Sequence, residues 1–427
     1  MYEIRAVKAR QIFDSRGNPT IECEVKTGFG RFIAAVPSGA STGTREAKEL
    51  RDGGKRFNGL GVTNAVRNVN EVLSVAVRGR DCRKQTEIDA NLIKEDGTPF
   101  KEKLGANALL AVSLAVAKAG AVAQKKELYD YLAQMSGRTP SLPVPALNII
   151  NGGKHAGNKI DFQEYQLLPL KFKTFEEAFG AGVEVFHVLK KSLEKKYGKG
   201  AINVGDEGGF APQLSKVEEP LDEILGAVET AGYASQMALA MDVAASSFAN
   251  TTDFGTTYTV EGKKISSDAL LKEYEALLDS YPIVSIEDPF SEDDYGAWEK
   301  MTGKLGKRLQ IMGDDLTVSQ KRFVEESISK KRANALLLKV NQVGTLSEAV
   351  ESANTAFSAG WGVQVSHRSG ETNDAFIADL AVGLGCGQIK SGAPCRGERL
   401  AKYNRILAIE ENSKIKYVGK SAFPFYK

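Results

Sequence analysis

The chain has 427 residues, of which 42% are hydrophobic and 26% are charged, and its formal net charge is +2. This length predicts two domains, one of them large, and the near-neutral charge excludes a global field for nucleic acid or an acidic membrane surface. We therefore expect a globular protein without a nucleic-acid partner, in which local positive groups hold any anionic ligand.

The cysteines and the apolar segments indicate the compartment. No CxxC pair occurs among the four cysteines, Cys23, Cys82, Cys386 and Cys395. Such sparse usage favours a reducing environment. The opening MYEIRAVKARQIF lacks the apolar run of a signal peptide. The Ala/Leu-rich run at residues 107–123 contains Ser113 and Lys118, which predicts a buried helix rather than a membrane span. We expect a cytoplasmic protein with no membrane span.

The first part of the chain predicts a small α+β domain. EIRAVKARQIF and TIECEVKT alternate apolar and polar residues around the turn cluster DSRGNP, which is typical of a strand meander. The loop SGASTG (38–43) is not a P-loop, and its spacing favours a connector over a mobile flap. Helices are predicted for TREAKELRDGG (44–54), VTNAVRNVNEVLSVAVRG, KQTEIDANLIKED and residues 103–124. The two prolines of SLPVPALN (141–148) mark the boundary, giving domains 1–138 and 139–427.

The second part predicts an eight-stranded β/α barrel. Apolar strands repeatedly end on an ionisable residue and are followed by a helical stretch: Asp242, Glu287, Asp314, Lys339, His367 and Lys390. The ends of barrel strands form the catalytic face of this fold. Six such units lie between residues 239 and 410, so the less regular region 143–235 must supply two strands. In that region Thr174 and Glu177 match a capping box, and INVGDEGGF (202–210) predicts a short strand that breaks into acid and glycine.

Three acids at strand ends predict a metal site. Asp242, Glu287 and Asp314 converge if the barrel closes, and three negative charges in one pocket require a cation. An all-oxygen ligand set indicates Mg²⁺ or Mn²⁺. The alternative, that each acid caps the following helix, is common for one Asp but weak for three consecutive strands.

Two lysines complete the ring. Lys339 and Lys390 also end strands, and either alone could be a structural ion pair. A lysine beside a dication and a second lysine has its charged form disfavoured, so we expect the pKa of Lys339 to fall and the amine to act as a base. A lysine base with Mg²⁺ is the pattern of the enolase superfamily.

Further polar residues are candidates for the same cleft. Glu207 lies between glycines and could act as an acid across the substrate from the base, or could be a turn acid. Gln163 and Glu164 lie on an early strand near it. His367, Arg368 and Ser369 form a compact anion clamp suited to phosphate. For single histidines such as His155 and His187, a structural or an exposed position is the commoner outcome, and His187, inside a predicted helix, is assigned to it.

Short motifs follow one another along nearly the whole chain: DSRGNPT, VPSGASTG, ELRDGG, NGGKHAGNK, NVGDEGGFAP, SIEDPF, GDDLTV, LLLKVNQVGT, SHRSGET and IKSGAPCRGERLAKYNR. Their joint order and spacing resemble the enolase family, the glycolytic phosphopyruvate hydratases. The resemblance implies an N-terminal α+β domain and an atypical barrel whose second strand is antiparallel to the rest. The chain departs from the family's usual residues at Gly54, Asn373, Cys386, Cys395 and Gly397. None of these is an implied site residue.

The resemblance also implies roles. Lys339 would remove the C2 proton of 2-phosphoglycerate, and Glu207 would assist departure of the C3 hydroxyl. Lys390 would neutralise the substrate carboxylate as it becomes an aci-carboxylate. Two Mg²⁺ ions are implied, one held by the three strand-end acids Asp242, Glu287 and Asp314. The second arrives with substrate and is bound partly by Ser41, which turns SGASTG into a closing flap.

The remaining implied contacts concern the substrate and partners. Phosphate would be taken by Arg368 and Ser369, and the other cleft residues would be His155, Gln163, Glu164 and His367. The family is usually homodimeric, with some octamers. Two alternatives stay open: another superfamily lyase or racemase acting on a different carboxylate, and a non-enzymatic surface-binding protein on the same fold. The flap and clamp motifs argue against the first, and the full set of catalytic groups argues against the second.

Overall fold

A computed structural model describes residues 1–39, 43–153, 156–253 and 255–423. The first strands form an antiparallel sheet in the order β1-β2-β3, as the meander predicted: β1 (Ala6–Phe13), β2 (Pro19–Thr27) and β3 (Gly30–Ala35). Val7 pairs with Val25 and Ala9 with Cys23, and all four side chains are buried. This period-2 pattern gives the sheet one apolar face.

Helices cover that face. They are α1 (Thr63–Asn68), α2 (Ser74–Val77), α3 (Gln85–Asp96), α4 (Ala106–Ala123) and α5 (Leu128–Ser136), with a π-helical segment, Val69–Leu73, joining α1 to α2. The helix α4 packs against β2 and β3. It is long and apolar enough to cross a membrane, but 89% of it is buried inside the protein. It is therefore the core helix that the sequence predicted.

The helix predicted for residues 44–54 is wrong. This segment is irregular because its backbone groups bond to other parts of the chain. The N–H of Ala47 donates to the carbonyl of Gln342 at 2.9 Å, and that of Lys48 donates to Phe100 at 2.7 Å. The tertiary contacts thus replace the hydrogen bonds that a helix would have made.

The rest of the chain is built on further strands, in chain order β4 (Val144–Asn151), β5 (Glu164–Pro169), β6 (Met237–Asp242), β7 (Ala249–Thr252), β8 (Gly255–Val260), β9 (Lys263–Ser266), β10 (Ile283–Glu287), β11 (Gln310–Gly313), β12 (Ala335–Leu338), β13 (Gly362–Ser366) and β14 (Gln388–Lys390). A closed barrel is formed by β4, β5, β6 and β10 to β14. The predicted eight-stranded barrel is confirmed, including the two strands from region 143–235. The separate sheet of β7, β8 and β9 was not predicted.

The helices outside the barrel are α6 (Phe175–Tyr197), α7 (Glu219–Thr230), α8 (Ser267–Ser280), α9 (Tyr295–Leu305), α10 (Lys321–Lys330), α11 (Leu346–Ser358), α12 (Phe376–Gly383) and α13 (Gly397–Asn412). The Thr174 side chain accepts from the N–H of Glu177 at 3.1 Å. Thr174 therefore caps α6 where predicted, but the reciprocal bond of a capping box is shifted by one residue, since Glu177 accepts from the N–H of Lys173 at 3.0 Å.

The strand β5 runs antiparallel to both of its neighbours, whereas the other barrel pairs are parallel. Its first residue, Glu164, pairs with Asp242, the last residue of β6. The reversal therefore brings the beginning of β5 to the catalytic face, where the other strands end.

The strand predicted for residues 202–210 is wrong. Only isolated bridges occur there, joining Phe210 to Val204 and to Ile150. The segment closes on itself instead, because the N–H of Gly205 donates to the carbonyl of Gly209 at 2.9 Å. This loop carries Glu207 beside β4.

A substitution at Gly209 tests whether that loop must lie this close to the barrel. A Cβ at this position would collide with the Asn151 side chain and lie 2.8 Å from the Asn148 carbonyl. We expect Gly209→Ala to lower the free energy of unfolding by about 1–3 kcal/mol through overpacking. Gly200→Ala is the control, since a Cβ there meets nothing within 4 Å. Urea unfolding of both variants checks this, and equal midpoints would contradict it.

Candidate active site

A polar cleft lies at the catalytic face of the barrel. Most of the predicted residues line it: Gln163, Glu164, Glu207, Asp242, Asp314, Lys339, His367, Arg368, Ser369 and Lys390. Four further lining residues were not predicted as direct ligands: Ala244, Asp288, Asp315 and Ser366. Glu287 reaches the same cleft through Lys390. Ser41 and His155 lie outside the described residues.

The ammonium of Lys390 is surrounded by carboxylates. Its Nζ lies 2.7 Å from Glu287 Oε2, 3.1 Å from Asp242 Oδ2 and 3.3 Å from Glu164 Oε1. Burial lowers the pKa of Lys390, but the three carboxylates outweigh burial and raise the pKa well above its ordinary value. Lys390 is therefore a permanent positive charge.

Lys339 follows β12, and its Nζ pairs with Asp314 Oδ2. Burial and the charge of Arg368 lower the pKa of Lys339, but the attraction of Asp314 outweighs them and the pKa is raised. With the chain's own residues alone, the pKa of Lys339 is raised because Asp314 pairs with it; the fall expected beside a dication stays a prediction. Lys339 remains reachable, with 12% of its side chain exposed.

The acids of the cleft are held close together against their mutual repulsion. Burial and the charge of Asp242 raise the pKa of Glu287 well above its usual value, despite Lys390. Burial and Asp314 raise the pKa of Asp315 to about 8. Burial also raises the pKa of Asp314, but Lys339 outweighs it, so this carboxylate has a lowered pKa.

These acids fit a hard dication. Among the described residues, Asp288, Asp314 and Asp315 offer carboxylate oxygens that lie within 4.8 Å of one another. Asp288 also accepts from the backbone N–H of Asp314 at 2.8 Å and of Asp315 at 3.0 Å, so it orients the segment that carries both acids. A crowded, all-oxygen donor set of this kind is suited to Mg²⁺.

Glu207 is held from two sides. Asn148 on β4 donates through Nδ2 to Glu207 Oε2 at 2.9 Å, and His367 Nε2 lies 3.4 Å from the same oxygen. Burial and the charge of Glu207 raise the pKa of Glu164 well above its usual value. Sequence reasoning missed Asn148, although an amide inside the apolar strand LNIIN was a signal.

The predicted anion clamp is pre-formed by partners from elsewhere in the chain. Arg368 Nη1 lies 2.9 Å from Glu46 Oε2 and 3.1 Å from Asn341 Oδ1. A side chain at Gly39 would collide with this guanidinium, which explains the glycine in SGASTG. Glu46 and Asn341 carry no sequence signal, because only folding brings them to Arg368. His187 is exposed on α6, as its structural assignment predicted.

An eight-stranded barrel with two lysines, an arginine and a ring of acids at its strand ends defines an enzyme for an anionic substrate. Two family models match this chain, "Enolase, N-terminal domain" over residues 4–132 and "Enolase, C-terminal TIM barrel domain" over residues 139–424. The chain belongs to the enolase family. Enolase is phosphopyruvate hydratase, so the chain is an enzyme of the hydro-lyase class.

Similar proteins cover nearly the same length. Proteins named Enolase from Pyrococcus furiosus and Methanocaldococcus jannaschii are each 54% identical to this chain, over 98% of it and over 97% and 98% of their own lengths. Enolase from Solanum lycopersicum is 51% identical over 99% of this chain and 98% of its own length. The similarity therefore spans both parts of the fold.

Removal of the Lys390 ammonium tests the charge balance. We expect Lys390→Met to lower the free energy of unfolding by roughly 3–5 kcal/mol at neutral pH, because buried acids lose their cation. Without it, the folded-state pKa values of Glu164 and Glu287 rise further, so the loss grows at high pH and shrinks as the pH falls.

Urea unfolding at several pH values measures this loss. Lys300→Met is the control, since the Lys300–Asp268 pair is exposed and contributes little. A loss that stays constant with pH would contradict the proposed balance.

Proposed function

We propose that the protein catalyses the reversible dehydration of 2-phospho-D-glycerate to phosphoenolpyruvate in glycolysis and gluconeogenesis. The observation that carries this proposal is one cleft in which two lysines, Lys339 and Lys390, face the acids of several strands, in a chain of the enolase family. Elimination of water from this substrate needs a base at C2, a proton for the C3 hydroxyl and positive charge at the carboxylate.

Lys339 is the base that removes the C2 proton. It must be neutral to do so, and Asp314 favours its charged form. When Asp314 does not pair with Lys339, burial and the charges of Arg368 and Lys390 lower the pKa of Lys339. Its partial exposure to the cleft lets the amine reach the substrate.

Lys390 binds the substrate carboxylate, where negative charge grows as the C2 proton leaves. Its permanent charge and its fixed position among three carboxylates support this role, since a preorganised cation needs no rearrangement during the reaction.

Glu207 assists the departure of the C3 hydroxyl by giving it a proton. Burial and the charge of Glu207 raise the pKa of its neighbour Glu164 well above its usual value, which favours retention of a proton by this pair of acids. Gln163 donates to Asp242 at 3.3 Å and orients that acid at the edge of the cleft.

Arg368 and Ser369 bind the phosphate, and His155 and His367 contact the substrate. The guanidinium of Arg368 is buried and already oriented by Glu46 and Asn341, which limits the entropy lost on binding. A planar fork of this kind suits two phosphate oxygens.

Two Mg²⁺ ions belong to the proposed site. Asp242, Glu287 and Asp314 would hold the first, and Ser41 would contribute to the second, which binds with substrate. Bound Mg²⁺ supplies positive charge that stabilises the negative charge developing on the substrate carboxylate. Burial and the repulsion of Asp242 raise the pKa of Glu287 well above its usual value, which supports a cation here.

We also propose a cytoplasmic homodimer. The free cysteines, which are mostly buried, suit a reducing compartment. Phe13 and Ile33 are 55% and 40% exposed on the N-terminal sheet, and a second copy would cover such side chains.

Turnover tests the function and the base together. We expect purified protein with 2-phosphoglycerate and Mg²⁺ to form a product with enol absorbance in the ultraviolet, and EDTA to abolish it. Lys339→Ala should lower the rate by about 10²–10⁴-fold because the general base is lost. Lys330→Ala, an exposed lysine on α10, is the control. No turnover by the wild type, or a near-wild-type rate in Lys339→Ala, would overturn the respective assignment.

Thermal unfolding tests the metal without reference to activity. We expect Mg²⁺ alone to raise the unfolding temperature, because an ion that binds the folded state stabilises it. Asp314→Asn should abolish the increase, whereas Asp279→Asn, on the exposed surface of α8, should retain it. An unchanged increase in Asp314→Asn would remove Asp314 from the metal site.

A further inference from the structure

We propose that Arg399 is a positioning residue that fixes His367 as a neutral imidazole with its proton on Nε2, so that this N–H faces Glu207. The mechanistic value of this arrangement rests on the proposed role of Glu207. The tautomer itself follows from hydrogen bonds around Arg399 alone.

Arg399 is completely buried in the first turn of α13. Nη1 lies 2.7 Å from the Arg368 carbonyl and 2.7 Å from Nδ1 of His367. Nη2 lies 2.9 Å from the Asp206 carbonyl and 2.6 Å from the Ser369 carbonyl. The two terminal nitrogens carry four hydrogens, and each of the four has one acceptor.

This count determines the protonation of His367. A guanidinium only donates hydrogen bonds and does not lose its proton in proteins. Three of its partners are carbonyl oxygens, which only accept, so the remaining Nη1 hydrogen points at Nδ1 of His367. A proton on Nδ1 would face the Nη1 hydrogen of Arg399, so two hydrogen-bond donors would be buried against each other. If the ring also kept a proton on Nε2, it would be a second positive charge beside Arg399. Nδ1 is therefore the acceptor, and the single proton of the neutral ring is on Nε2.

The surroundings of His367 favour the same state. The side chain is 1% exposed. Burial and the charge of Arg399, opposed by Glu207, together lower the pKa of His367 to about 4. The ring is thus neutral at physiological pH, and the imidazolium form would place a second buried cation beside Arg399.

The consequence is a directed contact with Glu207. Its Oε2 faces Nε2 of His367 at 3.4 Å and accepts from Asn148 Nδ2 at 2.9 Å. The contact with His367 is longer than a normal hydrogen bond, as contacts in ligand-free catalytic sites often are. Two neutral donors on one oxygen hold the orientation of the carboxyl group. His367 then orients the proton donor and does not itself supply the proton.

Arg399 also joins α13 to two other segments through backbone carbonyls. It binds Asp206 in the loop that carries Glu207, and Arg368 and Ser369 in the anion clamp. Loss of Arg399 therefore changes structure as well as protonation, and the test needs a readout that a purely structural role leaves unchanged.

The first test is the tautomer in the unmodified protein. The chain has three histidines, so ¹⁵N-histidine labelling gives few signals, and His367→Gln identifies the one that belongs to His367. We expect this ring to be neutral at pH 7 with the proton on Nε2. A proton on Nδ1, or a doubly protonated ring, would overturn the proposal without any Arg399 variant.

The second test is the variant series. Arg399→Met should give a mixture of tautomers and a His367 pKa nearer the ordinary value, and should lower kcat on the order of 10²-fold with little change in KM. Arg399→Lys keeps a charged donor and should restore the Nε2–H form and part of kcat. An Arg399→Met protein with an unchanged tautomer would contradict the proposal.

Arg405→Met is the matched control on the same helix. Its guanidinium binds Asp379 at 2.7 Å and Glu127 at 3.2 Å, outside the cleft. We expect the His367 signal and kcat to be unchanged. Turnover of 2-phosphoglycerate by the unmodified protein decides the proposed function separately, whereas the tautomer decides the role of Arg399.

Discussion

The structure depends on the balance of buried charge around Lys390. One ammonium faces carboxylates from β5, β6 and β10, each at the same end of the barrel. Three buried acids without a cation would oppose closure of the barrel, and a buried ammonium without acids would do the same. The catalytic face therefore forms as a unit, and its charges constrain which strand ends can meet there.

The reversal of β5 is what completes this set. In a parallel barrel the first residue of a strand lies at the face opposite the catalytic one. Because β5 is antiparallel, its first residue, Glu164, pairs with Asp242 and reaches Lys390. The same edge receives the loop of Glu207, held by Asn148 on the neighbouring strand. The antiparallel strand β5 and the neighbouring loop thus supply two acids of the site, Glu164 and Glu207.

The cleft is built from both parts of the chain. Glu46, in the segment that follows the small-residue loop, binds Arg368 on the barrel, and Gly39 leaves space for that guanidinium. Behind the cleft, Arg399 connects the anion clamp to the Glu207 loop. Residues that bind substrate are therefore oriented by residues that do not, and the site is sensitive to changes at a distance from the reacting atoms.

The sequence by itself determined the meander, the barrel and most of the cleft lining, because apolar runs and the ionisable residues that end them are local patterns, and the order of its motifs resembled the enolase family. It overestimated regularity at residues 44–54, where distant partners take backbone hydrogen bonds, and at residues 202–210, where the segment closes on itself. Only the tertiary structure decided the direction of the Lys339 pKa shift, since its dominant acid, Asp314, lies on another strand. Likewise Asn148, Glu46 and Arg399 enter the site through contacts between residues far apart in sequence, whose geometry no local pattern encodes.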